Sequence, residues 1–242
     1  MKHNLYVPLL LFLFAAVDRS WAGDVLVYRD RGVCAENCAE AIGVLAEQKL
    51  GSVKYVKASQ ITAQNLKNAK LWIQPGGDAI EMSETVTPAQ KELLRDFVRN
   101  GGTYLGICAG AFFADHYADD FNKVQGLGFI PGVSKDFLPG QPDDTVLKIF
   151  WGLNPRFMYF QAGATFEFDA SRPVQTLARY LDGRPAIAQF RYGKGIVLLS
   201  GPHPEAPSEW LAATGLNDPD GEDFDIAFDL LDRVGIAAGL LN

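Results

Sequence analysis

Cysteine and histidine are scarce in this chain: 242 residues hold three of each. Cys34 and Cys38 stand four apart with no histidine near them, which does not make a four-ligand zinc set, so no metal site is expected. No cofactor motif is read either. Basic residues are few beside acidic ones, 22 against 29, for a formal net charge of −7. Without a broad basic surface to neutralise phosphates, nucleic acid is excluded as an expected partner. Long apolar runs are lacking too. The run from Leu5 to Val17 covers 13 residues, whereas a membrane-spanning helix needs roughly 20.

What surrounds that run gives it a meaning. Lys2 and His3 precede it and Ser20-Trp21-Ala22 follow it, the charged, apolar, small-residue order of a secretory signal cleaved after Ala22. No cysteine occurs before Cys34, so none stands at the processing point to take a lipid. Residues 1–22 are therefore read as a signal peptide and 23–242 as one domain. The expected location is periplasmic or secreted, with no stable membrane anchor after cleavage. At 48% hydrophobic and 21% charged, the chain can bury one sizeable core.

Export changes the reading of the cysteines, because thiols outside the cytoplasm tend to oxidise and an odd number leaves one over. Cys34 and Cys38 are the near pair and Cys108 the remainder. A Cys34–Cys38 bridge closes a small loop and is disfavoured if both residues lie inside one regular helix. The alternative is two small buried hydrophobes. A Cys34–Cys108 bridge that silences Cys108 is a third reading, and nothing in the sequence demands it.

From Gly23 onward, short apolar runs alternate with segments of helical period, the pattern of a parallel sheet with helices on both faces. Strands are expected at 24–28, 53–56, 71–74 and 103–107, with a helix across 35–50. Thr87-Pro88 opens another helix running to Asn100, Thr87 as its N-cap and Pro88 at its first position. Beyond Asp119 the chain turns β-rich, with runs at 146–151, 158–161, 165–168, 174–180, 186–192 and 196–199. Asp182-Gly183 and Gly193-Lys194-Gly195 mark tight hairpins there. A helix over 224–237 closes the chain.

Chemistry gathers at the ends of strands. Cys108 falls between Gly106 and Gly110 on a strand-to-helix turn, where a sharp backbone bend pushes the thiol into the open and the next helix favours a thiolate. Ser200-Gly201-Pro202-His203-Pro204-Glu205 follows the last apolar run. If that strand is parallel to the others, His203 reaches the edge that carries Cys108, with Glu205 two residues on to hold the imidazole. His3 lies in the signal peptide and His116 on the helix after Cys108, which leaves His203 as the base. Gly76-Gly77-Asp78 ends another strand, where backbone N–H groups near Gly77, with that of Ala109, could bind an oxyanion. Taken singly, each has a plain alternative: a buried cysteine in a tight turn, a polar surface loop, a glycine turn. Their joint order at strand ends favours a site. Trp210 is a candidate cleft wall, while Trp72, Phe112, Phe113, Trp151 and Tyr159 read better as core.

Pro75-Gly76-Gly77, the stretch from Gly101 through Gly106-Ile107-Cys108-Ala109-Gly110 to Ala111, and Gly201-Pro202-His203-Pro204-Glu205 together resemble the amino-terminal domain of biotin-protein ligases. That domain is part of the class I glutamine amidotransferase-like superfamily. The resemblance implies a flavodoxin-like, mostly parallel α/β sheet, with extra β-hairpins in the second half here. It also implies a Cys108-His203-Glu205 triad with an oxyanion hole near Gly77 and Ala109. Glutamine amidotransferases usually carry a polar His-Gln pair after the nucleophile's glycine, and Ala111-Phe112 stands there instead. Nothing resembles the ligase's ATP-binding catalytic domain, so biotin ligation is not expected. With no synthetase domain read through Asn242, hydrolysis of an amide-like bond in a small molecule or peptide is expected over ammonia transfer. The alternative is a ligand-binding or scaffold protein that keeps the elbow without turnover.

Overall fold

The computed structural model describes residues 24–35, 37–119, 122–141 and 143–242; the expected signal peptide lies outside the described residues. In the first half, β1 (Asp24–Tyr28), β2 (Val53–Val56), β3 (Ala69–Gln74) and β4 (Thr103–Ile107) alternate with α1 (Cys38–Leu50), α2 (Ala63–Lys67), α3 (Ala79–Thr85) and α4 (Pro88–Arg99). The short α5 (Ala109–Phe113) follows β4 directly. Then come seven strands: β5 (Gly132–Asp136), β6 (Thr145–Trp151), β7 (Asn154–Phe160), β8 (Ala164–Phe168), β9 (Val174–Tyr180), β10 (Pro185–Tyr192) and β11 (Gly195–Ser200). Helices α6 (Ser208–Thr214) and α7 (Phe224–Ala237) complete the chain.

Nine strands form one mixed sheet in the order β2-β1-β3-β4-β11-β10-β9-β6-β7, with β5 and β8 paired apart from it. From β2 to β11 all pairings are parallel. From β11 outward they are antiparallel. The parallel part has the doubly wound order of a flavodoxin-like sheet, β11 taking the fifth place although six strands intervene in sequence. The expected fold class is the one observed.

Burial follows the two-sided environment. Every residue of β4 is buried, as expected for a central strand with helices on both faces. Alternate residues feed two cores. Leu26, Trp72, Tyr104 and Leu199 face one that α2, α3, α4 and α5 supply with Leu66, Met82, Leu94, Val98 and Phe113. Val25, Ile73, Leu105, Ile107 and Leu198 face the other, closed by Ile42 and Leu45 of α1 and Leu230, Leu231 and Val234 of α7. Fully burying each such aliphatic side chain contributes about 1.5–3 kcal/mol.

Helix α4 starts where Thr87-Pro88 predicts. The Thr87 hydroxyl accepts from the Gln90 N–H at 3.3 Å and the Gln90 carboxamide oxygen accepts from the Thr87 N–H at 2.9 Å, a reciprocal cap. Helix α1 begins three residues later than expected, at Cys38, behind an Asn37 with φ 64°. Cys34 therefore sits in the loop, outside the helix whose geometry would disfavour a bridge, and the structure joins it to Cys38 with a Cα separation of 5.6 Å. Cys108 is the free cysteine, so Cys34 is not its partner.

Candidate active site

Strand β4 delivers Cys108 through backbone geometry. Cys108 has φ 51° and ψ −110°, a conformation that side-chain-bearing residues rarely adopt. Its N–H donates to the Ser200 carbonyl at 2.8 Å, which extends the β4–β11 pairing by one residue into the bend. The flanking glycine explains why the turn needs this composition: a β-carbon at Gly110 would sit 2.1 Å from the Gln74 carbonyl oxygen. The buried Tyr104 hydroxyl donates to the Gly110 carbonyl at 2.7 Å and fixes α5 over β4.

The condition placed on His203 is met, because β11 runs parallel to β4 with Ser200 opposite Ile107. The loop after β11 thus leaves the sheet at the level of Cys108. The His203 N–H donates to the Tyr159 carbonyl at 3.0 Å, tying the loop to the end of β7. The imidazole lies edge-on to Tyr159 and Trp210, with centroids 5.7 and 5.6 Å away. On another side it meets Gly76 so closely that a β-carbon there would come within 2.6 Å of the ring and 3.2 Å of the Cys38 sulfur. The Cys34–Cys38 disulfide is thus part of the packing around His203.

Nδ1 of His203 and Oε1 of Glu205 are 2.9 Å apart, both residues almost fully buried. Burial alone would lower the imidazole pKa; the Glu205 charge and the nearby Cys108 sulfur outweigh it and push it up to about 10. The sulfur's well-aligned hydrogen bond goes elsewhere, from Sγ to the Gln161 carbonyl at 3.4 Å. Oε2 of Glu205 is buried with no hydrogen-bond partner among the described residues. An unsatisfied buried acceptor costs about 1–3 kcal/mol, more when charged.

Gly77 lies on the opposite rim. It bridges Val33, with the flanking bonds running from the Cys34 N–H to the Gly76 carbonyl at 3.2 Å and from the Asp78 N–H to the Gly32 carbonyl at 2.7 Å. In such an antiparallel pair the bridging residues turn their own N–H groups outward, so the Gly77 N–H faces away from the loop it packs on. Its φ of 139° and a β-carbon clash of 1.9 Å with the Gly32 carbonyl oxygen restrict the position to glycine.

Cys108, Ala109 and Gly77 share a cleft of about 440 Å³ whose other walls include Ile80, Phe112, Asp119, Asp136 and Gln161. No lysine, arginine or histidine lines it among the described residues. Asp78 is occupied in capping α3, accepting from Ile80 and Glu81 N–H groups at 2.9 and 3.0 Å. One expectation needs correction: the thiol does not stand in the open. Cys108 is 5% exposed, because the Gln161-Ala162 turn at the end of β7 closes over it, Ala162 itself having φ 43°. Phe112, read as core, lines the cleft. Trp210, read as a cleft wall, braces the imidazole instead, and Tyr159 joins it there. Nothing in residue spacing could have found Tyr159 or Gln161, which reach the site through the antiparallel pairing.

The fold is a flavodoxin-like α/β sheet that brings Cys108 and the His203 loop to one edge of its parallel strands. Residues 23–135 match the family described as "Biotin-protein ligase, N terminal". A biotin–protein ligase of Schizosaccharomyces pombe is 29% identical over 66% of this chain, and the chain spans 29% of that ligase. An uncharacterised protein of Chlamydia muridarum is 28% identical over 75% of this chain and 80% of its own length. Among solved structures, one described as a glutamine amidotransferase superposes with a TM-score of 0.63 at 21% identity, covering 89% of this chain and 99% of that one. At that identity the likeness speaks for the fold alone.

Proposed function

We propose that the protein is an exported thiol hydrolase of an amide-like bond, with Cys108 as nucleophile, His203 as base and acid, and Glu205 as the group that orients and charges the imidazole. The observation that carries this reading is the Nδ1–Oε1 distance of 2.9 Å inside a buried pair beside the free thiol. With Nδ1–H donating to Glu205, Nε2 is the atom that carries the proton exchanged with Cys108, and the raised imidazole pKa favours the imidazolium that balances the thiolate. The thiolate then attacks the carbonyl carbon, and the oxyanion is held by the N–H groups of Gly77 and Ala109. The imidazolium returns its proton to the leaving nitrogen as the C–N bond breaks. Water, deprotonated by His203, attacks the thioester, releasing the acid and restoring the thiol.

The substrate is a small molecule or peptide that enters the cleft between Gly77 and Gln161. The Cys34–Cys38 disulfide is consistent with an exported location. A second reading, a ligand-binding protein without turnover, draws on the 5% exposure of Cys108.

Labelling Cys108 with a small thiol-reactive probe across pH separates the two. In a working triad, His203→Ala slows labelling at neutral pH by about a hundredfold or more and moves the pH midpoint upward. Labelling unaffected by His203→Ala sinks the triad and leaves the binding reading.

A further inference from the structure

The end of the sheet opposite Cys108, where α4 leads into β4 and β10 turns into β11, holds a cavity of about 790 Å³. Its volume is in the range of small-molecule sites, and it shares no lining residue with the Cys108 cleft. Arg99 at the end of α4, Arg172 between β8 and β9, and Arg191 near the end of β10 all line it, with His116 from the segment after α5. Asp169 is the one carboxylate on the wall among the described residues. The whole chain has 29 acidic residues against 22 basic, so this wall runs against the charge around it.

Two of the three guanidinium groups lack partners. Arg99 is paired with Asp96 and Glu92 and lies over the Tyr192 ring, 5.8 Å from its centroid. Arg29, Arg31, Arg156, Arg184 and Arg233 elsewhere each hold a carboxylate. Arg172 and Arg191 are exposed on the cavity wall, and their side chains make no hydrogen bond or ion pair among the described residues. Asp169 does not neutralise them: its carboxylate accepts from the Ser171 N–H at 2.9 Å, the main cause of its lowered pKa, and Arg172 acts on it only from beyond ion-pair distance. Beside these charges the lining is apolar. Pro131, Pro173 and Tyr192 are accessible there, backed by the buried Phe129 and Phe190.

Unpaired guanidinium groups beside an apolar, partly aromatic wall are complementary to an anion carried on a flat apolar body. We propose that this cavity binds a small aromatic dianion, an aryl phosphate or aryl dicarboxylate, its charged end held by Arg172 and Arg191 and its ring packed on Tyr192 and the two prolines. A neutral alcohol with the same ring would gain the apolar contacts without the charge-assisted bonds, and a bare anion would gain the bonds without the contacts. The site is independent of the proposed hydrolase, since it lies at the other end of the parallel strands.

The test is calorimetric titration of the full chain with phenyl phosphate, phthalate, benzyl alcohol and inorganic phosphate. At least one of the two aryl dianions is expected to bind one to one, about tenfold or more tighter than either benzyl alcohol or inorganic phosphate, and the order of the two names the anion. Arg172→Ala and Arg191→Ala each remove an exposed side chain and are expected to weaken that binding about tenfold. Arg179→Ala makes the same change of net charge at an exposed arginine outside the cavity and is expected to leave binding within about twofold. Dianions bound no more tightly than benzyl alcohol, or weakened as much by Arg179→Ala as by the other two, overturn the proposal. Inorganic phosphate bound as tightly as phenyl phosphate overturns the aromatic ligand.

Discussion

Strand β4, buried at all five positions, and strand β6, half-exposed at all but one of seven, belong to the same sheet and serve the same site by different means. The parallel half holds Cys108 with the backbone: a positive φ, a strand that ends at the bend, and a glycine that lets α5 lie on Gln74. The antiparallel flank holds His203 with side chains and a single main-chain bond, through Tyr159 at the end of β7 and Trp210 on α6. Covering by helices on both faces leaves the parallel strands no room for adjustment. One face of the flank meets α7, β8 covers β10 on the other through Phe168 and Phe190, and β6 stays half-exposed, so the flank's contribution is made by individual groups. A thiol placed by backbone and an imidazole placed by a cage should therefore respond differently to substitution.

The largest expected effect concerns the cage. The folded pKa of His203, near 10, exceeds the ordinary 6.5, so the folded protein holds this proton where the unfolded chain releases it. That stabilisation is fully present below about pH 6.5 and is lost as pH rises through about 10, on the order of a few kcal/mol. Denaturant unfolding across pH 6–10 should show this decline in wild type and a flatter profile in His203→Gln. Equal slopes in the two would mean that Glu205 does not hold the proton.

Next in size is one leucine compared across the two halves. Leu105 of β4 is completely buried, and Leu105→Ala is expected to cost about 3 kcal/mol. Leu147 of β6 is only partly buried, and the same change there should cost about 1 kcal/mol. Urea midpoints decide it; equal losses would erase the distinction between the halves. Glycine offers a parallel pair. Gly110→Ala forces a β-carbon onto the Gln74 carbonyl oxygen and is expected to cost about 2–3 kcal/mol. Gly152, in the β6–β7 turn with φ 60° and open space around it, should lose only about 1 kcal/mol on the same change.

The same contrast explains what could be read from residue order. The parallel strands announce themselves as near-continuous apolar runs bounded by glycine and proline, and Thr87-Pro88 marks α4 by its capping chemistry. Cys108, His203 and Glu205 are visible because loops after parallel strands share one edge. By contrast α2, with five residues, and α3 and α6, with seven each, are too short to display a helical period. β5 alternates half-buried and exposed residues and has no apolar run to betray it. The low exposure of Cys108 was not legible, since the turn that covers it lies some fifty residues on and is brought there by pairing in the flank. The unpartnered oxygen of Glu205 is likewise a property of what packs around it, not of its neighbours in sequence.

The smallest expected effect sharpens the comparison most closely. The Tyr159 hydroxyl donates to Asp144 at 2.6 Å, while its ring edge and its carbonyl are what meet His203. Tyr159→Phe removes the hydroxyl and keeps the rest. A part-exposed hydrogen bond of this kind contributes about 1 kcal/mol, so unfolding should shift by that amount while the pH profile of Cys108 labelling stays in place. If the labelling midpoint moved with the hydroxyl, the imidazole would be held by a longer polar chain reaching Asp144, and the flank would act on the site through charge as well as through shape.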